Sequence, residues 1–264
     1  MKIIRGLHNL TKHSGSVVTI GNFDGVHVGH QHIITSLVKK SKRLGLPAVL
    51  ISFLPTPQSF FGREQATLSN FKQKHQLLAK LGLDVHLIIK FDKDFSELSA
   101  ETFIQKVLLN SLNMKFCLVG DDFRFGSGRT GNFKLLKDYS VQHDFEVENT
   151  NSILCNQDRI SSSIIRELLS QGNFHIVEKM LGREFNISGK VIHGRQLGRT
   201  IGFPTINIPI KRKISPVLGV FAVQVVIAGK THNGVCNIGK RPTVNGENIL
   251  LEVFLFNFNQ DIYG

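Results

Sequence analysis

Residues 16–34 read "SVVTIGNFDGVHVGHQHII". The first five form a short apolar run, and from Val28 onward apolar residues return at helical spacing: Val28, Ile33, Ile34, Leu37, Val38 and Leu44. A strand that turns through glycines straight into an amphipathic helix is half of a βαβ unit. The rhythm then repeats. "PAVLISF" (47–53), "DVHLIIKF" (84–91) and "FCLVG" (116–120) read as strands, and "NFKQKHQLLAKL" (70–81) and "AETFIQKVLLNSL" (100–112) as helices. Near-continuous apolar strands separated by helices predict a parallel, doubly wound α/β sheet covered on both faces. "ISSSIIRELLSQG" (160–172) and "FHIVEKML" (174–181) predict two further short helices.

Beyond Gly182 the texture changes. "FNISGKVIH", "FPTINIPI", "GVFAVQVVIAG", "KTHNGVCNIG" and "NILLEVFLFNF" are strand-like and divided by Gly, Pro and Asn turns, and no helix is expected from 183 to 264. Strands at that spacing predict a small antiparallel β-barrel. The expected organisation is two domains, 1–182 and 183–264.

The chain has 264 residues, 41% of them hydrophobic and 20% charged, the balance of a globular protein. Three widely separated cysteines, Cys117, Cys155 and Cys236, define neither a disulfide framework nor a zinc site and point to a reducing cytoplasm. The first fifteen residues lack the apolar core of a signal peptide, and the apolar run near "VLGVFAVQVVIAG" is too short to span a bilayer, so no membrane association is expected. A net charge of +12 favours anionic ligands. The basic residues are dispersed, with no block longer than "KRK" at 211–213. That favours small phosphate ligands over a nucleic-acid partner. Oligomeric state is not legible.

In an open parallel sheet, ligands sit where strands end and helices begin. Gly21 and Gly25 permit close backbone approach there, and the start of the helix near Val28 offers unpaired N–H groups to an anion. His27 and His30 both reach a phosphate placed at that point. The string "GNFDGVHVGH" resembles the HxGH signature of the nucleotidylyltransferase superfamily, in the form found in prokaryotic bifunctional riboflavin kinase/FAD synthetases. The resemblance implies adenylyl transfer: FMN attacks the α-phosphorus of ATP, giving FAD and pyrophosphate. His27 and His30 would stabilise the transition state, and Gly21, Phe23 and Gly25 would bind nucleotide. His32 lies outside the motif and reads as an ordinary helix histidine.

"RISSSIIREL" resembles the family's ISSTxIR element, with Ser163 where threonine is frequent. Ser162 and Arg166, one helical turn apart, would hold the departing phosphates. "VGDDFRFGSGRTGNF" contains G-x-G-x-x-G at Gly126, Gly128 and Gly131, but "DDFRF" intervenes after the strand, so a dinucleotide fingerprint is rejected. The stretch resembles instead a family loop that shapes the flavin site, implying Asp122 and Phe123 as flavin contacts, with Arg124 and Arg129 as lesser candidates. "FLPTPQSFF" resembles the family's F-x-P-x-P segment, with Thr56 at the position usually held by His or Gln.

"GKVIHGRQLGRTIGFPTINI" resembles the flavokinase signature, with Ile206 in place of its alanine. It implies nucleotide contacts at Gly198 and Thr205, and Mg²⁺ held by Thr205 and Asn207, neutral oxygens suited to a hard cation already bridged to phosphates. In "NILLEVFLFNF" the single carboxylate, Glu252, alternates onto one face with Phe254, Phe256 and Phe258. Aromatic surroundings would raise its pKa, and the resemblance makes it the base that takes the proton from the riboflavin 5′-hydroxyl. The family continues past "DIYG" through a further strand and helix, so an incomplete barrel with impaired kinase activity is expected. Two alternatives share parts of this pattern: another HxGH nucleotidylyltransferase, and a catalytically weak flavin-binding regulatory protein.

Overall fold

The computed structural model describes residues 1–11, 14–150, 154–155, 158–194, 204–210, 214–243 and 246–264. They fall into two compact units. One comprises Met1–Gln65, Ser69–Ile164 and Glu178–Arg183; the other comprises Ala66–Leu68, Ile165–Val177 and Glu184–Gly264.

In the first unit, strands β1 (Lys2–Arg5), β2 (Ser16–Ile20), β3 (Ala48–Leu54), β4 (Val85–Lys90), β5 (Met114–Gly120) and β6 (Glu146–Thr150) form one sheet in the order β1-β4-β3-β2-β5-β6. Every neighbouring pair is parallel. All five residues of β2 are buried, as a central strand covered on both faces requires. Alternation assigns the two faces. Val17, Leu50, Phe116 and Leu118 pack with Ile34, Leu37 and Val38 of α1 (Val28–Leu44) and Leu78 of α3 (Phe71–Lys80). Val18, Ile20, Val49, Ile51 and Val119 pack with Phe103, Ile104 and Leu108, the run from α5 (Ala100–Phe103) into a π-helical segment, Ile104–Ser111. Leu136 of α6 (Phe133–Gln142) completes that face. Each fully buried Leu or Ile contributes about 1.5–3 kcal/mol. On α1 the buried stripe is Ile34, Leu37, Val38 and Ser41; Leu44, expected on it, is 42% exposed.

The edge strands β1 and β6 go beyond the sequence expectation. Their patterns, one buried residue in "KIIR" and one in "EVENT", lack the apolar run of the interior strands. Short helices α2 (Pro57–Phe60) and α4 (Lys93–Ser96) and the two-residue strands β7 (Leu154–Cys155) and β8 (Asp158–Arg159) complete the unit, with α7 (Ser162–Ser170) and α8 (Phe174–Leu181) beginning or ending in it.

In the second unit β9 (Thr205–Ile210), β10 (Gly219–Ile227), β11 (Lys230–Thr243) and β12 (Gly246–Leu255) form an antiparallel sheet in the order β10-β11-β12-β9. Its buried face carries Ile208, Ile210, Cys236, Ile238, Ile249, Leu251, Val253 and Leu255. The strand expected over "FNISGKVIH" is absent among the described residues. That segment makes one isolated bridge, Ile192 with Asn207. Gly189 and Gly194 lie so close to β9 that a Cβ would stand 2.4 Å from Ile208 and 2.5 Å from the Asn207 amide.

Candidate functional site

The sheet order reverses at β2, which feeds β3 on one side while β5 lies on the other. Such a switch point is where doubly wound sheets bind ligands. A cavity of about 210 Å³ opens there, lined by His27, Gly29, His30, Asp122, Arg159 and Ser162 among others. A more open depression of about 390 Å³ at the other end of the strands, around Ser41, Lys42 and Asp84, carries less chemistry; Asp84 is bonded to the Ala48 amide.

The loop that positions the histidines is strained. Phe23, Gly25 and Val26 have φ of 48°, 77° and 43°. That region is open to glycine and costly for a β-branched valine. The loop is held by its carbonyls. The Asn22 carbonyl accepts from Lys74 Nζ, and that of Phe23 from the Val26 amide. Those of Asp24 and Gly25 accept from Ser162 Oγ at 2.9 Å and from Arg183 Nη2. The Val26 carbonyl accepts from Arg183 Nη1 at 3.1 Å and Gln31 Nε2 at 2.9 Å. Ser69 braces the other side, its Oγ accepting from the Gly25 amide.

His27 caps α1. Its Nδ1 accepts from the His30 amide at 3.3 Å, which assigns the ring proton to Nε2. The His27 and His30 rings stack with centroids 3.5 Å apart, and Phe23 covers His30 at 4.6 Å. A Cβ on Gly29 would stand 3.2 Å from the His27 ring, and one on Gly21 would stand 3.0 Å from Phe23, so both glycines make room for these side chains. Burial, aided by Arg183 and Arg159, lowers the His27 pKa to about 4. Burial, His27 and Lys74 hold His30 well below the usual imidazole range. Both rings are therefore neutral N–H donors at neutral pH. His30 Nδ1 is buried without a hydrogen-bond partner. Lys74 itself is lowered to about 8 by desolvation, which Asp24 opposes.

The structure thus brings Gly21, Phe23, Gly25, His27, His30, Ser162 and Asp122 to one edge of the sheet. Asp122 Oδ2 accepts from Arg159 at 2.8 Å, and Asp121 from the same guanidinium at 3.3 Å. Exposed His32 lies on the cavity rim. Phe123 stands at one end of a run of aromatic contacts through Phe125, Phe103, Phe95 and Phe91 to Phe60 and Phe61. Phe61 is 63% exposed. Thr56 caps α2, accepting from the Ser59 amide, and Asn22 Nδ2 joins α2 to the histidine loop through Gln58. Gly126 abuts the Ala100 backbone and Gly131 the Phe125 ring, so these glycines serve packing rather than a dinucleotide. Arg124 donates to the Phe123 carbonyl. Arg166 falls in the second unit, where its Nε donates to the Ala66 carbonyl at 2.5 Å; it does not line the histidine cavity.

In the second unit Thr205 is exposed and Asn207 buried, its Nδ2 donating to the Thr205 carbonyl. Glu252 stands directly across from Asn207 on β9 and Asn237 on β11. Its Oε1 accepts from Arg241 Nη2 at 2.6 Å. The expected aromatic surround is corrected in part: Phe254 stays on β12, two residues from Glu252, but the strand ends at Leu255, Phe256 lies past it and 47% exposed, and Phe258 packs on His232. The immediate neighbour of Glu252 is a guanidinium. Gly198 lies outside the described residues. No cluster of three or more His, Cys, Asp or Glu suited to a metal occurs among the described residues. No helix among them is long and apolar enough to cross a membrane.

Arg159, Lys74, Arg183 and Arg241 escaped the sequence reading. Each is one of 32 scattered Lys and Arg residues, with no local pattern to single it out.

Residues 9–164 match the family described as FAD synthetase, and residues 181–264 that described as riboflavin kinase. The chain is 46% identical over 268 residues to the bifunctional riboflavin kinase/FMN adenylyltransferase of Haemophilus influenzae, covering all of this chain and 87% of that one. With the protein of that name from Escherichia coli K12 the identity is 44% over 269 residues, covering 100% and 86%. A crystal structure described as a macrolide-efflux protein from Streptococcus pneumoniae superposes with a TM-score of 0.85 at 31% identity, covering 100% and 86%. Two matched halves in this order, at such identity over the whole chain, place it in the bifunctional riboflavin kinase/FMN adenylyltransferase family.

Proposed function

We propose that the chain phosphorylates riboflavin to FMN in its C-terminal half and adenylylates FMN to FAD in its N-terminal half, with ATP as co-substrate in both. The observation that most favours the second step is the stacked, neutral His27–His30 pair at a helix start on the sheet's switch point. An FMN phosphate oxygen attacks the α-phosphorus of ATP, and the bond to the β-phosphate oxygen breaks, releasing pyrophosphate. His27, through Nε2–H, and His30 donate to the non-bridging oxygens as charge builds there. Arg159 adds a cation at the cavity, and Ser162 is assigned to the departing phosphates. Gly21, Phe23 and Gly25 shape the nucleotide side. The flavin ring is assigned to the aromatic run, with Asp122 and Phe123 at one end and exposed Phe60 and Phe61 at the other, where flat π-surfaces favour stacking.

In the other half Glu252, oriented by Arg241, accepts the proton from the riboflavin 5′-hydroxyl as that oxygen attacks the γ-phosphorus of ATP; the bond from that phosphorus to the β,γ-bridging oxygen breaks and ADP leaves. Thr205 and Asn207 fit Mg²⁺ by donor chemistry: with Asn207 Nδ2 turned to a carbonyl, Oδ1 is the atom offered to a hard cation. Bound Mg²⁺ supplies neutralisation of polyphosphate charge. Gly198 and Thr205 contact the nucleotide. The substrates are small molecules in the cytoplasm, with no nucleic acid or membrane as partner.

The test is incubation with ATP, Mg²⁺ and either riboflavin or FMN, with chromatographic separation of products. FMN and FAD are expected, respectively. Absence of both from a folded sample would favour a flavin-binding regulatory role, and adenylylation of an acceptor other than FMN would favour another nucleotidylyltransferase.

A further inference from the structure

Arg183 lies inside the stretch 181–264 that matches riboflavin kinase. The structure puts it elsewhere. It belongs to the first compact unit, where Nη1 donates to the carbonyls of Val26 at 3.1 Å and Leu181 at 3.0 Å, and Nη2 donates to that of Gly25. Gln31 Nε2 spans the same two carbonyls, Val26 at 2.9 Å and Leu181 at 2.8 Å. Gly25 and Val26 are two of the three residues at positive φ, and His27 follows immediately. A left-handed valine persists only where its surroundings over-determine it. The planar guanidinium fork is suited to fixing two successive carbonyls at once.

We propose that Arg183 is a positioning residue of the adenylyl-transfer site, pinning Gly25 and Val26 in their strained conformation so that His27 caps α1 and presents its ring to the cavity. This rests on the assignment of that site to adenylyl transfer. A residue inside the stretch that matches riboflavin kinase thereby serves the adenylyl-transfer site. The groups acting on His27 are Arg183, Arg159 from β8 and the stacked His30; Lys74 acts on His30 from α3. Of these, Arg183 alone both bonds the adjoining loop carbonyls and lowers the affinity of His27 for a proton.

The test uses the full chain carrying Arg183→Gln or Arg183→Lys. The His27 ring is titrated by NMR, and FAD synthesis and riboflavin phosphorylation are measured alongside. In Arg183→Gln the His27 titration is expected to rise above about 4, with burial, the larger cause, still holding it below the ordinary 6.5. FAD synthesis should fall about 10²-fold, as for displacement of a catalytic group by about 1 Å, with riboflavin phosphorylation unchanged. Arg183→Lys keeps the charge without the fork: the titration should stay near wild type while the rate recovers only in part. Should the glutamine variant unfold, the lysine variant decides, and a full wild-type rate in it overturns the proposal. An unmoved His27 titration together with an unchanged FAD rate in a folded Arg183→Gln does the same. If the wild type makes no FAD at all, adenylyl transfer falls, and the His27 titration still decides the clamp.

Discussion

The histidine loop of the first unit and the Asn207–Glu252–Asn237 row of the second solve the placement of polar groups in opposite ways. In the loop, a backbone with Phe23, Gly25 and Val26 at positive φ is held by side chains from α1, α3, α7 and the residue after Gly182. Its imidazoles are buried and uncharged. In the row, ordinary antiparallel register aligns Asn207, Glu252 and Asn237 at no conformational cost, and one guanidinium orients the carboxylate. The loop site is made by tertiary contacts and the row by secondary structure. Damage to the loop should therefore spread through its neighbours, and damage to the row should stay local.

The largest expected effect tests the row. Glu252→Gln keeps shape and removes the proton acceptor, so riboflavin phosphorylation should fall by ~10²–10⁴-fold, the usual contribution of a general base. FAD formation from supplied FMN should hold. A glutamine variant that still phosphorylates riboflavin normally would strip Glu252 of this role. Next, His30→Ala should lower FAD formation by ~10²–10³-fold, as loss of one transition-state donor does, with kinase activity intact. Normal FAD synthesis by the folded variant would refute the assignment.

Acid stability sharpens the contrast between buried imidazoles and exposed ones. Folded His27 takes its proton near pH 4, whereas unfolded it does so near 6.5, so between those values the unfolded chain holds more protons. Stability must then fall as pH falls through that window. At 1.36 kcal/mol per pH unit, His27 accounts for about 3 kcal/mol, and His86, lowered by burial to about 3, acts in the same direction. Melting temperatures from pH 7 to 4 should drop less steeply in His27→Gln, and parallel curves would contradict the shift. The smallest effect concerns the aromatic run. Phe61→Ala should raise the KM for FMN about tenfold, the scale of one lost stacking contact, leaving the KM for ATP and the kinase reaction alone.

The sequence was informative where periodicity and local order carry the signal. The interior strands and the long helices were legible because their faces are buried throughout. The edges β1 and β6 were not, because an edge strand shows one buried residue and otherwise resembles a loop. The segment 185–193 misled for the converse reason: its strand-like composition serves a close crossing at Gly189 and at Gly194 just after it. His27, His30 and Ser162 were legible through motif spacing, since a helix start and its neighbours are contiguous in the chain. Glu252 was legible as a lone carboxylate, though not its partner, because alternation tells which residues share a face and not which strand supplies the countercharge.

What the sequence by itself determined was the order of two folds and the short motifs at their turns, since hydrophobic period and glycine placement act over a few residues. Only the tertiary structure decided the electrostatic state of the site. Neutral imidazoles require burial, and burial is set by Phe23 and the sheet edge. A valine at φ 43° requires carbonyl clamps from Gln31 and Arg183, the latter 157 residues away. Desolvation and over-determined strain depend on groups converging from distant segments, and no local pattern encodes that convergence.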